Sequence, residues 1–378
     1  MSAPDANRFV DLACLTYGDH ESRARRVEAS ALLAATPDVV NTLVHAAAAA
    51  GDVAALRGHL DRDPQCVEMR GTSRDWVPLL ALCYSRVEPK DALASIDLLL
   101  ARGADPNAHV MIGECRFTAL TGVIGEGEAG PFEQSPHAHA RAMAERLLSA
   151  GANPNDAQAI YNTHFLPSNT WIELLLVHGF SSRADLEFLL GQAAVQGFVD
   201  RVRLLLSTGV SADGRNRYNR RTHLENALLE GHAEIASLLI AAGAREPQFT
   251  EGDRFRVALL AGDAAEAQRI RGRVPSVAAD SDALIAAARH GNVSAIELAL
   301  THGLPIDRSD ANGLTALHHA ARNGHLEAVR VLVDHGASTT LRDPQYDGTP
   351  LGHARHFSGR WPRARGADVV AYLEQLAR

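Results

Sequence analysis

Glycines recur along this chain at two kinds of position, and their spacing constrains the fold more than any other feature. One set follows short apolar segments: Gly51, Gly197, Gly231, Gly262, Gly291 and Gly324. From Gly197 onward the steps are 34, 31, 29 and 33 residues. A second set follows leucine-rich segments: Gly103, Gly151, Gly179, Gly209, Gly243, Gly303 and Gly336. This near-regular spacing predicts a repeat protein rather than two or three separate globular domains.

Each repeat is predicted to be a pair of helices. Glycine can adopt the left-handed conformation that ends a helix, because it has no Cβ to clash. The segment between two glycines carries one apolar stripe, as in Val329, Leu332 and Val333, which is typical of an amphipathic helix. A single helix pair cannot bury its own apolar faces, whereas stacked pairs share one continuous core. The aromatic content of only 5% also favours helices over strands.

One stretch is close to a known consensus. Residues 310–340 read DANGLTALHHAARNGHLEAVRVLVDHGASTT and resemble a near-consensus ankyrin repeat. Thr315 stands where that family has its helix-capping threonine, and His318 matches the histidine that ties neighbouring turns together. Other segments resemble the start of a repeat: 44–47, 77–80, 117–120 and 349–354. The resemblance implies an all-α ankyrin-repeat solenoid of about eleven helix pairs with β-turn fingers.

Three regions are expected along the chain. Residues 1–36 are predicted to be an N-terminal helical capping module, because 9–35 reads as a helix pair without the repeat's turn. Residues 37–342 are predicted to be ankyrin repeats, and residues 343–378 a C-terminal capping repeat that ends in a helix near 367–377. Since terminal caps close the core of such an array, we expect a monomer.

Composition excludes some classes of function. The net charge is −8 and the pI is near 6.1, whereas proteins that bind nucleic acid backbones usually carry a basic surplus. No secretory segment and no apolar run of about 18 residues is present, so we expect a cytoplasmic protein that binds neither nucleic acid nor membrane. The four cysteines form no C-x-x-C pair and are predicted to be buried, reduced thiols.

The regular repeat is interrupted most strongly at residues 122–139, which read GVIGEGEAGPFEQSPHAH. The next unit, at 156–165, is also unusual and carries several polar and aromatic side chains. Together the N-terminal DLACLTYG segment, this insertion and the helix that follows resemble a subgroup of bacterial ankyrin proteins. Candidate ligand-binding residues concentrate between residues 76 and 171: Trp76, Tyr84, Gln134, Tyr161, Asn162 and His164. Insertions in repeat arrays often carry function.

The chemistry of the insertion is ambiguous from sequence. The pattern of residues 125–130 matches G-x-G-x-x-G, but a helix precedes it and two glutamates would repel phosphate. Glu126, Glu128 and His137 are acid–base candidates if the protein is an enzyme, while their spacing matches no standard metal motif. We therefore expect a flexible, solvated loop, no metal and no cofactor. A ligand pocket shared with the 156–165 helix remains the alternative.

A basic run, RNRYNRR at 215–221, is predicted to lie on a finger. Its binding candidates are Arg217, Tyr218 and Arg220, since Tyr and Arg are favoured at interfaces and Arg binds carboxylates or phosphates. A solvated finger tip is the simpler interpretation. A similar cluster contains Arg360, Trp361, Arg363 and Arg365.

Three functions are compatible with these sequence features. The first is a scaffold that binds a protein partner through the concave face and finger loops, because repeat arrays present long concave surfaces. The alternative is an enzyme or small-molecule binder that uses the insertion and the 156–165 helix. No G-x-S-x-G, H-E-x-x-H or P-loop signature is present, so catalysis is disfavoured. Nucleic-acid binding is the third and least favoured.

Overall fold

The computed structural model is mostly helical, with one short β-hairpin among the described residues. The residues that it describes are 3–17, 22–280, 282–358 and 365–377. Of the predicted C-terminal cluster, Arg360, Trp361 and Arg363 lie outside the described residues. The chain divides into two compact units, Met1–Asp185 and Leu186–Arg378.

In the first unit, helices come in consecutive pairs joined by short turns. They are α1 (Ala3–Ala13), α2 (Ser22–Ala35), α3 (Val44–Ala49), α4 (Val53–Arg62), α5 (Pro78–Tyr84), α6 (Ala92–Ala101), α7 (Ala119–Ile124), α8 (Ala140–Ser149), α9 (Ala157–Asn162) and α10 (Thr170–Val177). Short 3-10 turns occupy Pro37–Asn41, Pro64–Glu68 and Thr163–Phe165. One finger is a hairpin of β1 (His109–Ile112) and β2 (Cys115–Thr118), antiparallel, with His109 opposite Thr118.

The pairs continue from the unit boundary to the end of the chain. They are α11 (Arg183–Gln196), α12 (Val199–Ser207), α13 (His223–Leu229), α14 (Ala233–Ala241), α15 (Glu251–Leu260), α16 (Ala264–Arg273), the single turn α17 (Val277–Asp280), α18 (Ala283–Arg289), α19 (Val293–Thr301), α20 (Ala316–Arg322), α21 (Leu326–Asp334), α22 (Pro350–Ser358) and α23 (Gly366–Leu376). The predicted helical repeat array is therefore confirmed.

The two helices of a pair are buried to different extents. Every residue of α3 and of α5 is buried, so these first helices lie inside the core. Second helices bury one stripe; α21 buries Leu326, Ala328, Val329 and Leu332. First helices stack on first helices, as α18 on α20, and second on second, as α19 on α21. This arrangement gives each repeat its partners in the neighbouring repeats.

Threonine and histidine fix the starts of the first helices. The backbone N–H of His318 donates to the Thr315 hydroxyl at 3.4 Å, which caps α20. The His318 ring contacts the same hydroxyl at 2.8 Å and the carbonyl oxygen of Gly348, in the next finger, at 3.2 Å. The role that the family resemblance implied for this histidine is thus confirmed. His45 makes the equivalent contact with the Trp76 carbonyl at 2.7 Å.

The cysteine prediction holds at three of four positions. Cys14, Cys66 and Cys83 are buried and free, but Cys115 is free and exposed, because it lies in β2 at the end of the hairpin finger. Within the described parts of the chain, no helix combines the length and the apolar character that crossing a bilayer requires.

Candidate functional site

The insertion at 122–139 is a folded segment rather than the flexible, solvated loop expected from sequence. It joins α7 to α8, and its backbone is hydrogen bonded within itself and to α7. The Glu126 N–H donates to the Gln134 carbonyl at 2.5 Å, and the His137 N–H to that of Val123 at 3.0 Å. Glu126, Gln134 and His137 are 7%, 7% and 3% exposed. The expectation of a solvated loop was wrong because contacts distant in sequence cover this segment.

The glycines of the insertion allow a tight turn of its backbone. Gly125 ends α7 with φ 62°, and a Cβ there would lie 2.4 Å from the Ser135 carbonyl oxygen. At Gly127, φ is 137° and a Cβ would meet the Gln134 side chain at 2.5 Å. The glycine pattern therefore reflects close approach between the two halves of the insertion.

Two arginines from other elements hold the insertion, and sequence analysis missed both. Arg86, after α5, donates to the carbonyl oxygens of Ser135 at 2.7 Å and Gly122 at 2.6 Å. Arg26, on α2, donates to the Ser135 hydroxyl and the Phe132 carbonyl, each at 3.1 Å. Burial lowers the pKa of Arg86 to about 10, which leaves it charged at neutral pH. Nothing local in sequence distinguishes these arginines from the many others.

A polar cluster forms where the insertion meets α9. The Asn162 side-chain amide donates to the Gly125 carbonyl oxygen at 2.9 Å and to the Tyr17 hydroxyl at 3.0 Å. The Trp171 indole N–H donates to the Glu126 carboxylate at 3.2 Å. Glu126 itself has φ 55°, an uncommon conformation for a residue with a side chain. The insertion and the 156–165 segment, which were predicted to share a ligand pocket, are therefore in direct contact.

Further along α9, a second contact joins the same two elements. The Tyr161 hydroxyl donates to the exposed Glu128 carboxylate at 2.5 Å. The ring of His164, which lies in the 3-10 turn after α9, packs edge-on to Tyr161 with centroids 4.8 Å apart. The predicted helix at 156–165 is therefore shorter, and its last three residues form this turn.

His137 faces a different environment from Glu126. Its Nδ1 accepts the backbone N–H of His139 at 3.1 Å. Burial, together with the charge of nearby Arg86, lowers the pKa of His137 to about 3. The ring therefore stays neutral at physiological pH, and one nitrogen is already occupied. Among the described residues, no hydrogen bond joins His137 to Glu126 or Glu128.

Trp76 and Tyr84 lie behind the insertion, at 3% and 1% exposure. Their rings are 4.9 Å apart, and the Tyr84 hydroxyl donates to the Thr118 carbonyl at 2.9 Å. The Tyr84 ring packs so closely on Gly122 that a Cβ there would be 2.2 Å from it. Both aromatic side chains support the cluster from the core.

Asp156 is a buried carboxylate that the candidate set omitted. It caps α9 by accepting the backbone N–H groups of Gln158 and Ala159, each at 3.1 Å. It also accepts the hydroxyls of Thr118 and Thr121 from the start of α7. Burial raises its pKa despite these hydrogen bonds. Its position at the start of the unusual 156–165 segment was the available sequence signal.

The basic finger belongs to the second unit. The buried side chain of Asn216 accepts the Tyr218 N–H at 2.9 Å and donates to the Gly191 carbonyl at 3.3 Å. Arg217 lies over the Phe188 ring at 3.9 Å and contacts the Tyr218 hydroxyl at 3.2 Å. Tyr218 is 61% exposed. The predicted residues Arg217, Tyr218 and Arg220 therefore share one ordered finger tip.

Within the described parts of the chain, no group of three or more His, Cys, Asp or Glu residues is arranged to hold a metal ion.

Comparison with known proteins identifies part of the array. A family model described as ankyrin repeats, in three copies, matches residues 258–343. The matched segment runs from the end of α15 to the base of the finger before α22. No curated protein matches the chain.

Proposed function

We propose that this ankyrin-repeat protein is a scaffold that binds another protein through its finger loops and the surface beside them. Ankyrin repeats are generally protein-interaction scaffolds, and the core of each unit is satisfied by its own stacked helices. We therefore expect a partner to contact side chains that the stacking leaves exposed.

Exposed aromatic side chains on fingers carry this proposal. Tyr218 and Tyr346, on two fingers of the second unit, are 61% and 73% exposed. On the β1–β2 finger of the first unit, Met111 is 53% exposed. Tyrosine and methionine are enriched at protein interfaces, and the rigid tyrosine ring adds large contact area at low entropic cost.

The fingers are held in place before any partner binds. Asp343 is 2% exposed and accepts the backbone N–H groups of Gln345 at 3.0 Å, Tyr346 at 2.8 Å and Gly348 at 2.9 Å. Asn216 does the same for the finger of Tyr218. A tip whose backbone is already ordered loses less conformational entropy on binding.

The proposal is tested by removing both tyrosine rings. We expect a Tyr218→Ala/Tyr346→Ala variant to keep its melting temperature, because both side chains are exposed, and to lose at least about tenfold in affinity for a captured partner. The measurement is quantitative affinity capture followed by calorimetry with the purified partner.

The matched control is a Val177→Ala/Ile240→Ala variant. These side chains are 83% and 58% exposed on second helices, α10 and α14, so the control removes exposed apolar surface away from the fingers. A set of captured proteins that is identical for the finger variant, the control and the wild type would refute the proposal.

A small-molecule site at the insertion is the second candidate. The observation that favours it is the buried Glu126 carboxylate, held with φ 55° against the Trp171 indole, since strained backbone clusters at functional sites. A ligand that binds only the folded protein raises its melting temperature by mass action.

This candidate is tested by thermal shift against a panel of metabolites and metal ions. We expect a ligand that stabilises the wild type to have no effect on Glu126→Gln or on the Glu126→Ala/His137→Ala double variant. Glu145→Gln, on α8, is the control because its carboxylate is exposed at a surface ion pair. A panel without any stabilising compound would remove this candidate and leave the scaffold.

A further inference from the structure

Three fingers of this protein are built on the same internal contact. In each, an arginine at the base donates from its guanidinium to the carbonyl oxygen of the residue five positions later. The pairs are Arg70 with Asp75 at 2.9 Å, Arg342 with Asp347 at 2.6 Å, and Arg215 with Arg220 at 2.9 Å. The fingers are therefore directly comparable, position by position.

The acceptor residue has the same unusual backbone in all three. Its φ is 53° at Asp75, 52° at Asp347 and 62° at Arg220. Aspartate is among the residues that adopt this left-handed region most readily, whereas arginine is not. The backbone of the third finger therefore gives no reason for an arginine at position 220.

The side chains differ in their charge. In two fingers the aspartate carboxylate also pairs with the base arginine, at 3.4 Å for Asp75 and 3.0 Å for Asp347. In the third finger the acceptor residue is Arg220, so this finger carries two cationic residues at the positions where the other fingers carry an arginine and an aspartate. This finger therefore has a second cationic residue at the position where the other two fingers have a carboxylate counter-ion.

The neighbouring side chains extend this cationic surface. Arg215, Arg217 and Arg220 are all exposed, and Tyr218 stands between the last two. Arg221 is less exposed, and its guanidinium pairs with Asp253 at 3.2 Å. In a chain of net charge −8, this tip is a local concentration of positive charge.

We propose that the finger at 215–221 binds an acidic segment of the protein partner, whose carboxylates replace the aspartate that the other two fingers carry. Guanidinium groups bind carboxylates in paired, charge-assisted hydrogen bonds, and the exposed Tyr218 ring offers an apolar surface beside them. The proposal rests on the scaffold function above and names the chemistry of its partner. The acidic character of the whole chain favours a peptide over a nucleic acid.

The Arg220→Asp variant tests this directly. It restores the ion pair that the sister fingers have, in a backbone conformation that aspartate accepts, so the variant should melt at or above the wild-type temperature. The probe is a fluorescein-labelled peptide of six glutamates flanked by one phenylalanine, with its glutamine analogue and a single-stranded oligonucleotide of equal length as comparisons.

We expect the wild type to bind the glutamate peptide, more weakly as salt rises, and Arg220→Asp to bind it at least about tenfold more weakly, as loss of one charge-assisted pair predicts. Arg57→Asp is the matched control, since it makes the same change of charge at an exposed site on α4, and should bind as the wild type does. Arg220→Gln removes the cation without adding a carboxylate and should give an intermediate loss.

Equal binding by wild type and Arg220→Asp would overturn the acidic-partner inference, as would equal binding of the glutamine peptide. Tighter binding of the oligonucleotide, lost in Arg220→Asp, would replace the peptide with a nucleic acid. If instead a partner is captured through Tyr218 and Tyr346 but binds Arg220→Asp normally, the scaffold function stands and only this inference fails.

Discussion

At the scale of single residues, the second unit contains a partly buried ionic group that links three successive repeats. Glu230, after α13, accepts hydrogen bonds from Arg256 at 2.9 Å, Arg289 at 3.0 Å and His290 at 2.9 Å. Burial alone would raise the pKa of Glu230, but the hydrogen bond from His290 and the charges of Arg289 and Arg256 outweigh it and lower the pKa to about 2. The ionised carboxylate therefore stabilises the folded state.

This lowered pKa fixes the pH range in which Glu230 contributes. Since the folded-state pKa lies below the ordinary value of 4.5, the stabilisation is complete above about pH 4.5 and is lost as the pH falls towards 2. We expect Glu230→Gln to lower the free energy of unfolding at pH 7 by about 2 kcal/mol. Urea unfolding at pH 7 and pH 3 should show a smaller difference from wild type at pH 3. An equal difference at both values would contradict this assignment.

At the scale of elements, α5 and α7 are in close contact at Gly122, where the insertion begins. The Tyr84 ring packs against Gly122, and the Tyr84 hydroxyl donates a hydrogen bond to the carbonyl oxygen of Thr118, the residue that caps α7. Glycine at this position allows the two first helices to approach more closely than any side chain would. The helix that precedes the insertion is therefore placed by an aromatic ring from the neighbouring repeat.

We expect Gly122→Ala to destabilise the protein by about 2–3 kcal/mol, because its Cβ would lie 2.2 Å from the Tyr84 ring and overpacking forces the neighbours to move. Gly58→Ala is the matched control, since a Cβ at 58 in α4 would meet no atom within 4 Å. It should stabilise the protein by about 0.5–1 kcal/mol through helix propensity. Denaturant unfolding measures both, and equal stability of the two variants would show that the close approach is relieved at no cost.

At the scale of the molecule, the N-terminal helix pair both covers the first repeat and holds the insertion. Phe9 and Val10 on α1 are fully buried, and α1 packs on α3. Tyr17 and Arg26 reach the insertion more than 100 residues away along the chain. The predicted capping module is therefore also part of the candidate ligand site.

Removing residues 1–36 should consequently have two effects. We expect a loss of at least about 3 kcal/mol in stability from exposure of the buried apolar surface, and faster amide hydrogen exchange at 122–139. Phe9→Ala should reproduce the first effect by about 3–4 kcal/mol, while Val27→Ala, at an exposed site on α2, should be neutral. Unchanged exchange at 122–139 after the deletion would mean that the contacts from Arg86, Asn162 and Trp171 hold the insertion without the N-terminal helix pair.

The repeat architecture could be predicted from the amino-acid sequence, because the residues that specify each repeat are close together in the chain. The signals are glycines that end helices, threonines that cap them and the contact of His318 with the next turn. Each acts within one repeat or between adjacent repeats, so its regular spacing can be recognised in the sequence. The same locality placed the insertion between two helices and the basic run on a finger.

Contacts between residues far apart in the sequence determine how the insertion at 122–139 is folded and which charges surround the finger at 215–221. Arg26, Arg86 and Tyr17 fold the insertion from distant positions, and no local pattern distinguishes them from other arginines and tyrosines. The unusual charge at Arg220 likewise becomes evident only when its finger is compared with the fingers that carry Asp75 and Asp347. Contacts between distant residues set burial and charge, and periodicity along the chain does not encode which residues make those contacts.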